Sequence, residues 1–521
     1  MRLRRQRRYG RFLRKDRRCL SGGLKPDRIE RRLAGWSPLA VGWPRRWIPR
    51  ARLRNRGVKA RTITGFILRT VDRSLVKRVV AVAYHFPPAG GAGVQRTVKF
   101  VRYLPDFGYT TRVVTGPGAL EALLADESLS HEIGVNVEVI RVAGPEPELS
   151  GGMARHGERW LLRPEPWTSW WTAGVEAAVR GAAADADVLY VSMSPFESAI
   201  ACAKLSTELD LQWVADLRDP WALSEVEVYP TRLHRRRELR RMGRLLDSAS
   251  AIIMNTPEAT HRLMEAFPEL AGVPVATITN GYDAVDFEGP PPVRDDGKFR
   301  IVHSGHFLSE LGARHRRTRL VRRVLGGAHP DLDLFTRSPD FLLDALTRLV
   351  DRSPVLGSTI ELHLAGALSA LERALLAGSP VPVHEHGYLA HLDAVALIRS
   401  ADLLFLPMHT PASGARATSI PGKLYEYLGA GRPILAAVPE GDARDILTRV
   451  GGALLASPAD VTQMAMLIGE EIDRWGAGRP TPPPDPHAVA AFERRHLTGR
   501  LAGVLDDVLA TTRDRPRKAV G

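Results

Sequence analysis

The sequence predicts an α/β protein with two parallel-sheet halves, and three observations predict it. From Lys77 onward, short β-branched runs alternate with helical stretches, as βαβ units require. The longest apolar runs, Val79-Val80-Ala81-Val82-Ala83 and Leu403-Leu404-Phe405-Leu406, are far shorter than the ~20 residues of a membrane helix, and they suit strands buried on both faces. A linker by composition, residues 288–299, divides the alternation and makes the cleft between the halves the default ligand site.

Residues 1–76 come first, as a basic arm. Through residue 78 there are 26 Lys and Arg against 4 Asp and Glu, a balance of +22 in a chain of +15, so the remainder carries −7. Pro26, Pro38, Pro44 and Pro49 interrupt the arm and no apolar period persists, which predicts disorder. Arg7-Arg8 is not followed by the apolar stretch of an export signal, because Asp16-Arg17-Arg18 intervenes. The arm suits an anionic lipid surface with Trp36, Trp43 and Trp47 as anchors, nonspecific nucleic-acid contact, or translation from an upstream start codon. Attraction of a polybasic arm to phosphate carries no sequence information, so no specific nucleic acid is expected as a partner.

The first half, 77–287, has strands expected at 79–84, 111–115, 188–192, 213–216 and 251–255, with a helix at 94–104. The second half, 300–478, has strands expected at 300–304, 360–364, 381–384, 403–407 and 434–438. A proline-rich break opens the last segment, 479–521, which ends in an amphipathic helix over 488–510. With 44% hydrophobic and 25% charged residues, collagen, coiled coil and global disorder are excluded. Two cysteines, Cys19 and Cys202, give no disulfide framework and point to a reducing cytoplasm.

Four segments carry chemistry. Gly90, Gly91 and Gly93 lie between the first strand and its helix, where backbone N–H groups face an anion, and Arg96 adds a charge one turn on. A tight structural turn is the plain alternative. Asp216, Arg218 and Asp219 crowd the C-terminal end of a strand, where α/β proteins bind ligands, although such a loop can also satisfy itself. Asn280-Gly281 is a turn signal. In Ile420-Pro421-Gly422-Lys423-Leu424-Tyr425-Glu426, Pro421 opens a helix, and Lys423 and Glu426 share one face near its start. A phosphate suits Lys423 there and a ribose diol suits Glu426; a surface ion pair is the alternative. Asp185-Ala186-Asp187 and Asp331-Leu332-Asp333 follow no apolar strand, and His384-Glu385-His386 has no third ligand nearby in sequence, so no metal site is expected.

The order and spacing of these segments, from about residue 77 to 509, resemble the family 4 glycosyltransferases. The resemblance rests on 84–96, 214–221, Asn280-Gly281-Tyr282-Asp283 with Phe287, Val302-His303-Ser304-Gly305, His386-Gly387-Tyr388-Leu389 with His391, and 421–433. It implies a GT-B fold: two Rossmann-like domains facing each other across a cleft, the first for the acceptor and the second for a nucleotide sugar. It implies donor contacts from Gly305, from Gly387, Tyr388 and Leu389 at the base, and from Lys423 and Glu426, with Glu426 on the ribose. Where many members have a glutamate eight residues earlier, this chain has Thr418, and Arg416, Thr418 and Ser419 are the expected substitutes. The basic residues that usually follow the Gly305 region are not recognisable; Arg314-His315-Arg316-Arg317-Thr318-Arg319-Leu320-Val321-Arg322-Arg323 stands there as an insertion.

The implied activity is sugar transfer with retention of configuration from a UDP-, GDP- or ADP-sugar, without a cofactor, to a glycan or lipid-linked acceptor in cell-envelope or exopolysaccharide synthesis. Asp216, Arg218 and Asp219 would orient the acceptor. Two basic stretches, 232–244 and 314–323, and Trp160, Trp167, Trp170 and Trp171 suit a cytoplasmic enzyme held peripherally on the anionic inner face of the plasma membrane; solvated helices and a buried aromatic cluster are the alternative. The competing functions are a GT-B sugar-nucleotide epimerase and a non-catalytic protein that binds anionic surfaces.

Overall fold

A computed structural model describes residues 76–90, 92–118, 127–134, 136–144, 166–227, 229–326, 332–411 and 414–513. The chain divides into Met1–Arg69 and Thr70–Gly521, and every described residue belongs to the second unit. The expected disorder of the arm therefore concerns residues outside those described, Val76 excepted, as do the expectations for Gly91 and Trp160.

Two sheets, parallel throughout, organise the fold. The first holds β1 (Lys77–Val82), β2 (Tyr109–Thr115), β3 (Glu138–Arg141), β4 (Val188–Ser192), β5 (Gln212–Leu217), β6 (Ala251–Met254) and β7 (Val275–Thr277), in the order β3-β2-β1-β4-β5-β6-β7. The second holds β8 (Phe299–Ser304), β9 (Ile360–Ala365), β10 (Val383–Gly387), β11 (Leu403–Pro407), β12 (Ile434–Ala437) and β13 (Ala453–Ala456), in the order β10-β9-β8-β11-β12-β13. Every residue of β4 and of β11 is buried, because helices cover both faces of a parallel sheet. Alternation along β1 sends Val80 and Val82 to a core layer with Trp171 and Trp213, and Val79 and Ala81 to the opposite layer with Val98 and Tyr190.

Strand order reverses between β1 and β4 and again between β8 and β11, which opens a crevice at the C-terminal edge of each sheet. The residues after β1, β5, β8 and β11 are those that the sequence marks for chemistry.

Three edge strands, β3, β7 and β13, were not expected from the sequence. The expected terminal helix is two helices, Pro486–Ala490 and Arg494–Arg513. The second inserts Leu497, Leu501 and Leu505 into the β1-side layer of the first sheet, each burial worth roughly 1.5–3 kcal/mol. Its approach is fixed by backbone pairing: Tyr282 N–H donates to Phe492 O at 3.1 Å, and Arg494 N–H to Tyr282 O at 2.9 Å. Gly281 permits this, since a Cβ there would stand 2.2 Å from Phe492 O. The insertion after Gly305 is a helix, Ser309–Leu325. Among the described residues, no helix is long and apolar enough to cross a membrane.

Candidate functional site

A cavity of about 250 Å³ lies where the two sheets face each other; Gly305, Arg337, Tyr388, Lys423, Glu426 and Arg494 are among its lining residues. Its floor is bare backbone. Gly305 N–H donates to Ala365 O at 2.8 Å and Gly366 N–H to Gly387 O at 2.7 Å, which ties together the ends of β8, β9 and β10. Gly366 has φ +126°, and a Cβ there would stand 2.4 Å from Gly305 O, so only glycine lets these strand ends meet.

The Gly422–Ala430 helix begins at the cavity rim. Leu424, Tyr425, Tyr427 and Leu428 bury in the second lobe's core, and this leaves Lys423 and Glu426 to line the cavity. Tyr427 also fixes the helix to β8, because its hydroxyl accepts from Ser304 N–H at 2.9 Å. Lys423 Nζ is 3.2 Å from Glu426 Oε2. Burial opposes ionisation of Glu426, but Lys423, His391 and Arg494 outweigh it and hold the carboxyl below its ordinary value. The site thus keeps an anion beside a cation, with Lys423 Cε 3.3 Å from the place a Gly305 Cβ would occupy.

Arg337 is a site residue that the sequence reading missed. It follows the insertion helix by a dozen residues, so no local pattern joins it to Gly305, although Leu308 N–H donates to its carbonyl at 2.8 Å. Its guanidinium lines the cavity, and burial lowers its pKa. No carboxylate among the described residues is within ion-pair distance of it. A half-buried cation without a counter-ion is a receptor for an anion. Beneath it, His303 Nδ1–H donates to Phe405 O at 2.9 Å, and burial pushes His303 down to about 3, so the ring is neutral.

His391 bridges the halves. Its Nε2 is 2.8 Å from Asp286 Oδ2 and its Nδ1 is 3.2 Å from Gln95 Nε2. Burial would lower its pKa, but the bond and charge of Asp286 raise it. Gln95 Oε1 in turn accepts from Arg494 at 2.9 Å, which brings the terminal helix to the cavity.

Several expected site residues serve elsewhere. Asp216 is 0% exposed and both its oxygens are taken: Arg96 Nε and NH2 donate to them at 2.9 and 2.8 Å, and the Tyr190 hydroxyl donates as well. It cannot touch an acceptor. Arg96 spends its remaining donors on Ile278 O and Thr279 O at 2.9 and 2.8 Å, so it is a clasp within the first lobe and not a diphosphate ligand. Arg416 is not in the cavity; it pairs with Glu258 at 3.3 Å and with Asp445, on the seam between lobes. Thr418 is buried in the same seam: its carbonyl accepts from Thr256 Oγ1 at 2.8 Å and its N–H donates to Glu225 Oε1 at 3.3 Å. Glu225 Oε1 also meets His409 Nε2 at 2.8 Å. Ser419 is half-buried beside them and is not among the cavity-lining residues.

The remaining expected residues divide between the cavity and the glycine turn of the first lobe. Tyr388 and Leu389 line the cavity, Tyr388 with 46% of its surface exposed. Arg218 lies against the glycine turn, since a Cβ on Gly93 would strike its guanidinium, and it donates to Ser194 Oγ at 2.9 Å. Gly90 is buried in the turn itself, and Asp219 beside Arg218 is largely exposed.

A family model described as glycosyl transferases group 1 matches residues 334–472. No curated protein matches the sequence. Among solved structures, the trehalose 6-phosphate synthase of Burkholderia multivorans is similar at 14% identity and a TM-score of 0.53, over 84% of this chain and 99% of that one. The trehalose-6-phosphate phosphatase N-terminal domain of Candida albicans is similar at 13% identity and 0.53, over 84% and 97%. Anabaena Alr3699/HepE, solved with UDP and glucose, is 17% identical with a TM-score of 0.48, over 84% and 99%.

Proposed function

We propose that the chain is a group 1 glycosyltransferase, in keeping with the family model that matches residues 334–472, and that it transfers a sugar, with retention, from a nucleotide-sugar donor held in the interlobe cavity. One observation carries the reading: two cations, Lys423 and Arg337, line the same cavity as the bare backbone of Gly305. A departing nucleoside diphosphate needs that positive charge. Glu426, kept ionised, is suited to accept two hydrogen bonds from a ribose diol, with the base along Gly387, Tyr388 and Leu389. On the acceptor side, Arg218 and Asp219 are the accessible polar pair; Gly90 and Gly93 form the turn against them, and Arg96 and Asp216 position that turn. The acceptor hydroxyl forms its bond to the anomeric carbon on the face that the diphosphate leaves. As the carbon–oxygen bond to phosphate breaks, the departing phosphate oxygen takes the hydroxyl proton.

The acceptor is a glycan or lipid-linked sugar at an anionic membrane surface, as cell-envelope or exopolysaccharide synthesis on the cytoplasmic face would use. The support is a basic and apolar surface. The Ser309–Leu325 helix exposes Leu320 and Val324 by 78% and 84% among its arginines. Its end meets the basic Arg232–Leu246 helix, since a Cβ on Gly326 would stand 2.0 Å from Arg232 Nε. Leu233 on that second helix is 65% exposed.

The experiment is a thermal-shift screen of the full chain with UDP-, GDP- and ADP-glucose, followed by product analysis. A donor should raise the melting temperature by mass action, and Glu426→Ala should abolish the rise. Stabilisation by none of the three, or epimerised sugar nucleotide formed without any acceptor, would refute transfer. Vesicles containing phosphatidylglycerol should sediment the protein, and Leu320→Ser with Val324→Ser should weaken that; equal sedimentation would remove the membrane part alone.

A further inference from the structure

His384-Glu385-His386 lacks further ligands in its own segment, but strand pairing supplies them. In the parallel register His384 lies opposite His363. Glu361 is two residues before His363 on β9, so their side chains share a face of the sheet. His363 Nε2 is 3.3 Å from Glu361 Oε2, and His384 Nε2 is 3.8 Å from the same oxygen. One ligand atom from each of the three residues can be chosen so that all lie within 4.8 Å of one another.

We propose that Glu361, His363 and His384 bind a divalent transition-metal ion of the zinc class, with His386 as the group that orients His363.

The separations suit the ion. Bonds of about 2.0–2.1 Å at tetrahedral angles place neighbouring ligand atoms about 3.3 Å apart, so His363 and Glu361 already stand at the required spacing and His384 needs a small rotation. Two imidazoles and a carboxylate form a ligand set that zinc accepts, with a fourth position for water. The second layer is also built. His363 Nδ1 is 3.0 Å from His386 Nε2. With metal on Nε2 of His363, its Nδ1–H donates to His386, the arrangement that fixes a ligand's tautomer and ring direction. A register shift between Glu385 and Gly387 places His386 at an irregularity of β10, and bulges of this kind re-aim side chains.

The rings are already aligned, those of His363 and His384 lying 4.4 Å apart at 22°. Arg300 faces Glu361 in register, and its two terminal nitrogens donate to Ser400 Oγ at 3.1 Å and Asp296 at 3.3 Å. His384 is 46% exposed on an edge strand, which leaves an entry path.

The test is titration of the metal-stripped full chain with Zn²⁺, followed by calorimetry and by metal analysis after desalting. The parent should bind one equivalent more than His384→Ala, whose exposed side chain can be removed without disturbing the core. The zinc-dependent rise in melting temperature should vanish with that equivalent. His386→Ala should keep the stoichiometry and lose about 10- to 100-fold in affinity. Co²⁺ in place of Zn²⁺ should give the visible absorption of a four-coordinate ion in the parent and not in His384→Ala. Equal uptake and affinity in the parent and His384→Ala, or no uptake by the parent at micromolar Zn²⁺, would overturn the site. Neither outcome bears on the donor cavity, which shares none of these residues.

Discussion

Lys423 and Arg337 differ in what they lose when truncated. Lys423 has Glu426 at 3.2 Å, so Lys423→Ala removes a cavity-facing charge and also takes from a half-buried carboxylate its ion-pair partner. Among the described residues Arg337 has no such partner, so Arg337→Ala removes only charge toward the proposed ligand. Each should lower kcat/KM for the donor by about 10²–10³, the usual loss for one donor at a developing charge. Steady-state kinetics across donor concentration checks this, and Arg337→Ala should leave the melting temperature of the free protein equal to or above the parent's. Asp216→Asn separates structure from chemistry in the other direction. It breaks a buried bidentate pair with Arg96 and should cost about 3–5 kcal/mol in urea unfolding, whereas Asp219→Ala, two-thirds exposed, should stay within about 0.5 kcal/mol. Sequence alone made these two aspartates equivalent. Their difference comes from Tyr190 on β4 and Arg96 after β1, partners that are remote in sequence and adjacent only once the strands pair. Arg337 was hidden for the same reason, behind an inserted helix. Lys423 and Glu426 were legible because their relation is local: three residues on one helix face.

At the scale of elements, the glycines that end β9 and β10 make a controlled comparison. Gly366 and Gly387 both have positive φ, but a Cβ on Gly366 meets Gly305 O at 2.4 Å, whereas a Cβ on Gly387 meets nothing within 4 Å. Gly387→Ala should therefore cost only the backbone term, about 1–2 kcal/mol. Gly366→Ala should cost more and should also raise the donor KM, because relief of the clash moves the Gly305 backbone. Denaturant midpoints and donor titrations of the two variants check this, and equal effects would contradict the geometry. Central strands were readable in the sequence almost to the residue, β4 and β11 with both ends in place, because strands buried on two faces need unbroken apolar runs. The edges were not. Glu138–Arg141 has no buried residue and Val275–Thr277 is only half-buried, so neither shows an apolar run to read. β10 begins two residues later than the sequence suggests, since its register is set by β9 and not by hydrophobicity; four of its five residues are exposed.

Across the whole molecule, protons divide the two lobes. His303 and His363, on neighbouring strands of the second sheet, are held down at about 3 and about 4 from an ordinary 6.5, chiefly by burial. A histidine kept neutral in the fold takes up its proton on unfolding, so the stability it permits is whole above pH 6.5 and is lost as pH falls toward its folded value. Glu426, also in the second lobe, and Asp283, in the first, are depressed acids; their contributions persist lower, fading only as pH falls below about 4. His391 works the other way, because its raised pKa makes its contribution complete below 6.5 and lost as pH rises. Acidification from pH 6.5 to 4.5 should therefore loosen the second lobe before the first. The probes are separable: Trp171, Trp213 and Trp221 are buried in the first lobe, Trp475 lies against Phe299 in the second, and the proposed donor site contains Lys423. Donor-induced stabilisation should fade over that pH interval while the emission of the first-lobe tryptophans holds. His303→Asn retains a donor for Phe405 O and removes one titrating ring, so the dependence of unfolding free energy on pH should become shallower by about 1 kcal/mol per pH unit. An unchanged slope in that variant, or a first-lobe emission shift that precedes loss of donor binding, would mean that the acid-sensitive element lies outside β8 and β9.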